Sequence, residues 1–238
     1  MYIVVITLAL ALLGFSLEYF GIWNVPYSKF SKGPGLNNRF GVVLVYLIPI
    51  LIFNSIWISF KITPNFLSYI LLICFNLHFG KRILEALFLH KYSRNFSYVG
   101  FLFALTMYSM TAYVLVLANY YSTNASLSLI QNIGLLIFLI AEYMSFRHHK
   151  ILAELRNNQT GYFIPSEGLF NYSVCPHYFF EIIAWFGYAL ISNTPTAYLV
   201  FITVTLLLAG RSHATREWYR KEFVDFPQKR KRLVPFIY

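Results

Sequence analysis

The chain has 238 residues, of which 58% are hydrophobic, 20% aromatic and only 12% charged, with a mean hydropathy of +0.58. Soluble globular domains carry about 25% charge and roughly 45–50% apolar residues, so this composition argues against a water-soluble single-core domain. The two cysteines, Cys74 and Cys175, make neither a disulfide framework nor a metal-type pair. The net charge of +10 would suit a nucleic-acid binder, and its position along the chain decides against that reading.

A helix that spans a bilayer takes about 20 mostly apolar residues. Such stretches run over 2–22, 41–60, 63–80, 98–120, 127–146, 179–192 and 196–210. The first lacks a basic leading segment, and Glu18-Tyr19-Phe20 is a poor cleavage site, so it reads as a retained span rather than a signal peptide. The last two are short and are joined by Ser192-Asn193-Thr194-Pro195-Thr196, which predicts a helical hairpin.

The 19 Lys and Arg residues alternate between the connections. Lys29, Lys32 and Arg39 follow the first span; Lys81, Arg82, Lys91 and Arg94 follow the third. Arg147, Lys150 and Arg156 follow the fifth, eight more follow the seventh, and only Lys61 falls on the other side. The connections at 121–126 and 192–196 carry no charge. This is the positive-inside pattern, with the N-terminus outside or lumenal and the C-terminus cytosolic. It predicts an all-α polytopic membrane protein of seven transmembrane helices in one domain, 1–238. The bilayer is then the partner and nucleic acid is not. Of four glycosylation sequons, at Asn95, Asn124, Asn158 and Asn171, only Asn124 lies on the expected outer side.

Ionisable groups at membrane depth cost about 2.5–3.5 kcal/mol on insertion scales, so each invites a functional reading. Three sets share helix faces at the expected cytosolic end. They are His78, Lys81, Arg82 and Glu85; Glu142, Ser145, His149 and Arg156; and Tyr178, Glu181, Trp185 and Tyr188. Taken singly, Lys81 and Glu85 suit a surface i,i+4 pair and terminal cations suit snorkelling. Three sets converging in one small bundle favour a binding site. A pocket rich in Arg and Lys suits phosphate, because guanidinium grips phosphate oxygens in pairs. Gly33-Pro34-Gly35 is a turn and not a dinucleotide fingerprint, so a dinucleotide would lie between helices. His148 and His149 point about 100° apart on a helix, which argues against a metal site.

Three blocks carry a resemblance. Lys81-Arg82-x-Leu84-Glu85-x-x-Phe88-x-His90-Lys91-Tyr92-Ser93 resembles a segment of very-long-chain trans-2-enoyl-CoA reductases. The run from Leu169-Phe170-Asn171-Tyr172 through Cys175-Pro176-His177-Tyr178 to Glu181 and Trp185 is similar to a block shared by those enzymes and steroid 5α-reductases. The end, from Trp218-Tyr219 through Asp225-Phe226-Pro227 to Pro235-Phe236-Ile237-Tyr238, resembles that family's terminus. A weaker echo lies at Pro26-Tyr27-Ser28-Lys29-Phe30.

The resemblance implies a membrane reductase of the endoplasmic reticulum, or of a bacterial inner membrane, that uses NADPH to saturate a C=C bond conjugated to a carbonyl. Its lipid substrate is expected to be a trans-2-enoyl-CoA in preference to a 3-oxo-4-ene steroid or a polyprenol. Residues 1–95 would form the substrate-side helices and 96–238 the region of the cofactor site. Carried over by position, Tyr178, Lys81 and Arg82 are the expected catalytic residues. Arg156, Tyr162, Glu181, Arg211, Tyr219, His149 and His177 are expected at the cofactor, and Phe79 and Glu85 at the substrate. No metal is expected. His177 stands where the family usually has Asn, as does Ser145, and Arg216 stands where it usually has His. Two other readings remain at this stage: an isoprenylcysteine-methyltransferase-like enzyme, whose Arg-His-Pro motif is matched only loosely by Val174-Cys175-Pro176, and a non-catalytic membrane scaffold.

Overall fold

The computed structural model describes residues 2–31, 33–59, 65–92, 95–120, 126–156 and 161–238. Lys32, Lys61 and Arg94, and the sequons at Asn124 and Asn158, lie outside them. Among the described residues are seven α-helices, and each coincides with one expected span. They are α1 (Tyr2–Tyr19), α2 (Asn38–Ser59), α3 (Phe66–Leu84), α4 (Tyr98–Tyr120), α5 (Leu129–Glu154), α6 (Pro176–Ser192) and α7 (Pro195–Glu222). Four of them, α2, α4, α5 and α7, are long and apolar enough to cross a membrane, which makes the chain an integral membrane protein.

Local chemistry sets the helix ends. Asn65 and Ser68 form a reciprocal capping box that starts α3, and Ser128 and Gln131 form another that starts α5. Pro176 and Pro195 open α6 and α7, where a missing N–H costs nothing. Asn193 ends α6 in the left-handed conformation, with φ of 49°.

Three helices run past the apolar stretches that announced them. α5 continues from 146 to Glu154, and α7 from 210 to Glu222. α3 passes into a π-turn, Glu85–Leu89, closed by a bond from the His90 N–H to the Glu85 carbonyl at 2.8 Å. These extensions are polar, so hydropathy stops before the helical backbone does. At about 1.5 Å per residue the 28-residue α7 is roughly 42 Å long, beyond the ~30 Å hydrocarbon layer. Its last turns, with Tyr219 roughly 36 Å from Pro195 at that rise, therefore reach past the length of such a layer.

α5 packs on α6, α1 on α7 and α2 on α4. The α5–α6 crossing depends on small residues: a Cβ on Gly187 would sit 2.7 Å from the Phe138 backbone nitrogen and one on Gly134 2.7 Å from Leu190 Cβ. Close approach through glycine is how helices gain dispersion contact where lipid offers no hydrophobic drive. The main core gathers Phe53, Phe75, Phe79, Phe138, Trp185 and Tyr188. A second, smaller core of Val174, Cys175, Ile182, Tyr219, Phe226 and Leu233 lies where the C-terminal segment returns. That segment is strapped to the start of α6. The Val174 N–H donates to the Lys231 carbonyl at 2.9 Å, the Lys231 N–H to the Tyr172 carbonyl at 2.9 Å, and Arg230 Nη1 to the Pro165 carbonyl at 2.8 Å.

Candidate active site

The three sets of polar residues meet at the ends of α3, α5 and α6. Glu142 of α5 accepts from His78 Nδ1 at 2.6 Å and pairs with Lys81 Nζ at 2.7 Å. One turn on, Glu85 Oε2 lies 2.7 Å from Arg82 Nη1 and 3.1 Å from His149 Nδ1. Lys81 joins the two carboxylates, with its Nζ 3.7 Å from Glu85 Oε1. All of these side chains except Lys81 are buried. Removing one partner of such a buried pair typically costs 3–5 kcal/mol, because it strands the other charge. Glu85, His90 and His149 offer ligand atoms within 4.8 Å of one another. Arg82 Nη1, 3.0 Å from His149 Nδ1 and 2.7 Å from Glu85 Oε2, already holds the cation's place there.

Two cavities flank this cluster. One spans about 1120 Å³ of space outside protein atoms, part of it open to solvent, at the end where the cations gather. Its walls carry Lys29, Lys91, Arg156, Tyr162, Tyr219, His90, His149 and His177. The Arg156 guanidinium stacks 4.5 Å from the Tyr162 ring centre and donates to the Lys91 carbonyl at 2.8 Å. The Tyr219 hydroxyl donates to the Phe163 carbonyl at 3.2 Å, which fixes its ring. Lys29 Nζ sits 5.0 Å from the Trp218 ring centre and 5.2 Å from that of Tyr219. Desolvation in this half-buried position brings the Lys29 ammonium down to about 8. Cys175 also lines this cavity, but burial pushes its thiol up to about 12, so it is no nucleophile near neutrality.

The second cavity is similar in size, about 1160 Å³, and lies among α1, α2, α4, α6 and α7. Val42, Val45, Phe103, Met107, Val204 and Leu207 give it a mostly apolar wall. Polar groups on it include Glu18, Tyr46, Tyr108, Thr111, Thr203 and Glu181. Arg211 Nη1 pairs with Glu18 Oε1 at 3.1 Å, and Arg211 Nη2 donates to the Val25 carbonyl at 2.7 Å. Four side chains line both cavities: Tyr27, Arg82, Tyr178 and Arg211.

The expected residues divide accordingly. Tyr178, Arg82 and Arg211 stand at the junction, while Arg156, Tyr162, Tyr219, His149 and His177 face the cationic cavity. Glu181, expected at the cofactor, lines the apolar chamber. Lys81, Glu85 and Phe79 line neither cavity. Lys81 is turned to Glu142, Glu85 anchors Arg82 and His149 from behind, and Phe79 is fully buried between Phe75 and Trp185. Sequence reasoning passed over Lys29, Tyr27 and Tyr46 as site residues. The first two sit in the weak Pro26–Phe30 echo, which was the available signal; Tyr46 is the immediate neighbour of Leu47, inside the second apolar span.

Comparison with known proteins decides the family. The model of the 3-oxo-5-alpha-steroid 4-dehydrogenase family matches residues 90–238, more than half of the chain and all but the N-terminal walls of this site. The chain belongs to that family. A very-long-chain enoyl-CoA reductase of Dictyostelium discoideum is 31% identical over 199 residues, covering 81% of this chain and 66% of that protein. A steroid 5-alpha-reductase of Gossypium hirsutum is 40% identical over 107 residues, 44% of this chain and 42% of its own length. The human 3-oxo-5-alpha-steroid 4-dehydrogenase 1 is 38% identical over 108 residues, 44% and 41% respectively. The matches thus span between about two fifths and two thirds of these relatives.

Proposed function

We propose that this family member is a membrane reductase that uses NADPH to saturate a C=C bond conjugated to a carbonyl in a lipid, with a trans-2-enoyl-CoA as the preferred substrate. The observation that carries this reading is the meeting of a cationic cavity and an apolar chamber at Arg82, Tyr178, Tyr27 and Arg211. One cavity has the charge for a dinucleotide and the other the lining for a lipid. The preference for an enoyl thioester rests on the enoyl-CoA reductase match, which at 81% coverage reaches into the N-terminal helices that wall the chamber. All seven helices would cross the bilayer, with the N-terminus outside and the cationic cavity on the cytosolic side, as the alternating Lys and Arg suggest.

The cationic cavity fits the cofactor. Lys29 has aromatic rings around it and forms no ion pair among the described residues; the Glu18 carboxylate, itself paired with Arg211, acts on it only at longer range. Arg156 and Lys29 would hold phosphate oxygens, and Tyr162 and Tyr219 would flank flat rings. When bound, NADPH supplies a hydride to the β-carbon. The electron pair of the alkene then moves to the carbonyl oxygen, which becomes an enolate in a low-dielectric pocket. Arg82 supplies positive charge beside that oxygen, and preorganised charge of this kind is often the largest contribution to the rate. Tyr178 gives its phenolic proton to the α-carbon and regains one from water. Glu85 and His149 keep Arg82 in place. Stopped-flow oxidation of NADPH by the purified protein in detergent, with trans-2-hexadecenoyl-CoA and with a 3-oxo-4-ene steroid, tests the reading. Turnover of the thioester is the expected result, and oxidation with neither compound would refute it.

A further inference from the structure

A hydroxyl on a helix inside a bilayer finds no partner in lipid, so it commonly bonds a carbonyl one turn back on its own helix. Thr205 of α7 does so, donating to the Phe201 carbonyl at 2.8 Å, and Thr7 of α1 donates to the Ile3 carbonyl at 2.6 Å. Thr111 of α4 and Thr203 of α7 do not. They are only 4% and 3% exposed, yet neither hydroxyl has a hydrogen-bond partner among the described residues. Nor are these two oxygens sealed in by protein atoms, as the Trp185 indole nitrogen is. Both residues line the apolar chamber, so the space their hydroxyls border is the space a lipid would fill.

Their positions along the helices put them at the far end of that space. Thr203 precedes Arg211, a junction residue, by eight positions on α7, about 12 Å at the helical rise. Thr111 follows Gly100 by eleven positions on α4, about 16 Å. Gly100 marks the junction end, because a Cβ there would sit 2.4 Å from the carbonyl oxygen of Pro26, the residue before Tyr27. Between the two levels the wall carries Phe103, Met107, Val204 and Leu207.

We propose that Thr111 and Thr203 form a distal polar subsite, which takes a second oxygen, a hydroxyl or a ketone, carried by the lipid chain on the order of 12–16 Å beyond its reacting end. The proposal rests on the reductase reading above and narrows its substrate class, from any trans-2-enoyl thioester to one oxygenated again along its chain. A plain chain resting against the two threonines leaves two buried hydroxyls unsatisfied, which costs free energy. A chain oxygen removes that cost, since a threonine hydroxyl donates to a ketone and either donates to or accepts from an alcohol. A site built to pair a substrate hydroxyl also selects against the analogue that lacks it.

The test is equilibrium binding to the purified protein in detergent. It compares trans-2-hexadecenoyl-CoA with the same thioester bearing one hydroxyl at carbon 10, 12 or 14 of the chain. Wild type should favour at least one hydroxylated chain by about tenfold, which one net hydrogen bond supplies. The isosteric double variant Thr111→Val/Thr203→Val should bind all four chains alike. Thr205→Val, whose lost hydroxyl bonds only its own helix, should keep the preference. A wild type that favours none of the three, as it would if water alone filled the far end, overturns the proposal, and so does a preference that survives the double substitution. Should the double variant fail to fold, the two single variants decide, each expected to lose part of the preference. NADPH oxidation with the same chains separates the subsite from the reading beneath it. Discrimination in binding with no oxidation of any chain refutes the reductase reading and leaves the subsite standing, whereas oxidation of all four with equal kcat/KM overturns the subsite alone.

Discussion

The two cavities are nearly equal in size and opposite in character. The cationic one is walled by residues from connections and helix ends, among them Lys29, Arg156, Tyr162 and Tyr219, held by named hydrogen bonds and ring contacts. The apolar one is walled mostly by aliphatic and aromatic side chains of the helices, with its directional contacts gathered at Glu18–Arg211 and Arg82–Tyr46. Tight, directional walls suit a ligand that never changes, such as a cofactor. Apolar walls set size and depth, so under the proposed reading the chamber would be the place where substrate preference resides.

The largest expected effect comes from the junction itself. Tyr178→Phe should lower kcat by about 10² to 10⁴-fold, the usual worth of a positioned acid, while both ligands still bind; nicotinamide fluorescence quenching checks the cofactor arm. Next, Arg156→Ala removes a charged partner worth about 1.5–3 kcal/mol, so the NADPH Kd should rise by at least about tenfold while lipid binding is unchanged. A similar weakening of both ligands would mean that the two cavities are not separate sites. Filling the other side gives the mirror result: Ala104→Phe places a ring in the apolar chamber, and should raise the lipid KM several-fold without moving the cofactor Kd. The smallest effect is a pH dependence. Lys29 is held down to about 8 by burial, so it is charged below that pH and loses charge above it. NADPH affinity should therefore decline from about pH 8 upward, and Lys29→Met should flatten the profile; isothermal titration across pH 7–9.5 reads both.

The helices were legible because twenty-residue apolar runs and alternating charge are strong, one-dimensional signals. Their extensions were not, since the ends of α5 and α7 are polar and look like loops on a hydropathy scale. In the site, motif position identified the neighbourhood but not the direction of each side chain. Lys81 and Arg82 are adjacent and carry the same charge, yet a rotation of about 100° per residue turns one to Glu142 and the other to the cavities. Likewise Glu181 lies one helical turn from Tyr178 and faces the lipid side. Phe79, expected at the substrate, is a core residue because its face of α3 meets Phe75 and Trp185. The hydrogen bond from Arg82 to Tyr46 joins residues thirty-six positions apart on different helices, and a contact that distant in the chain leaves no local pattern to read.

The central claim is that a cofactor in the cationic cavity and a lipid in the apolar chamber react across the junction. Turnover of trans-2-hexadecenoyl-CoA with NADPH deuterated at the nicotinamide C4 position, followed by mass spectrometry of the product, tests it most directly. The account predicts one deuterium at the β-carbon from one face of the nicotinamide only, and a solvent-derived proton at the α-carbon. A saturated product without the label, or label at the α-carbon, would contradict it.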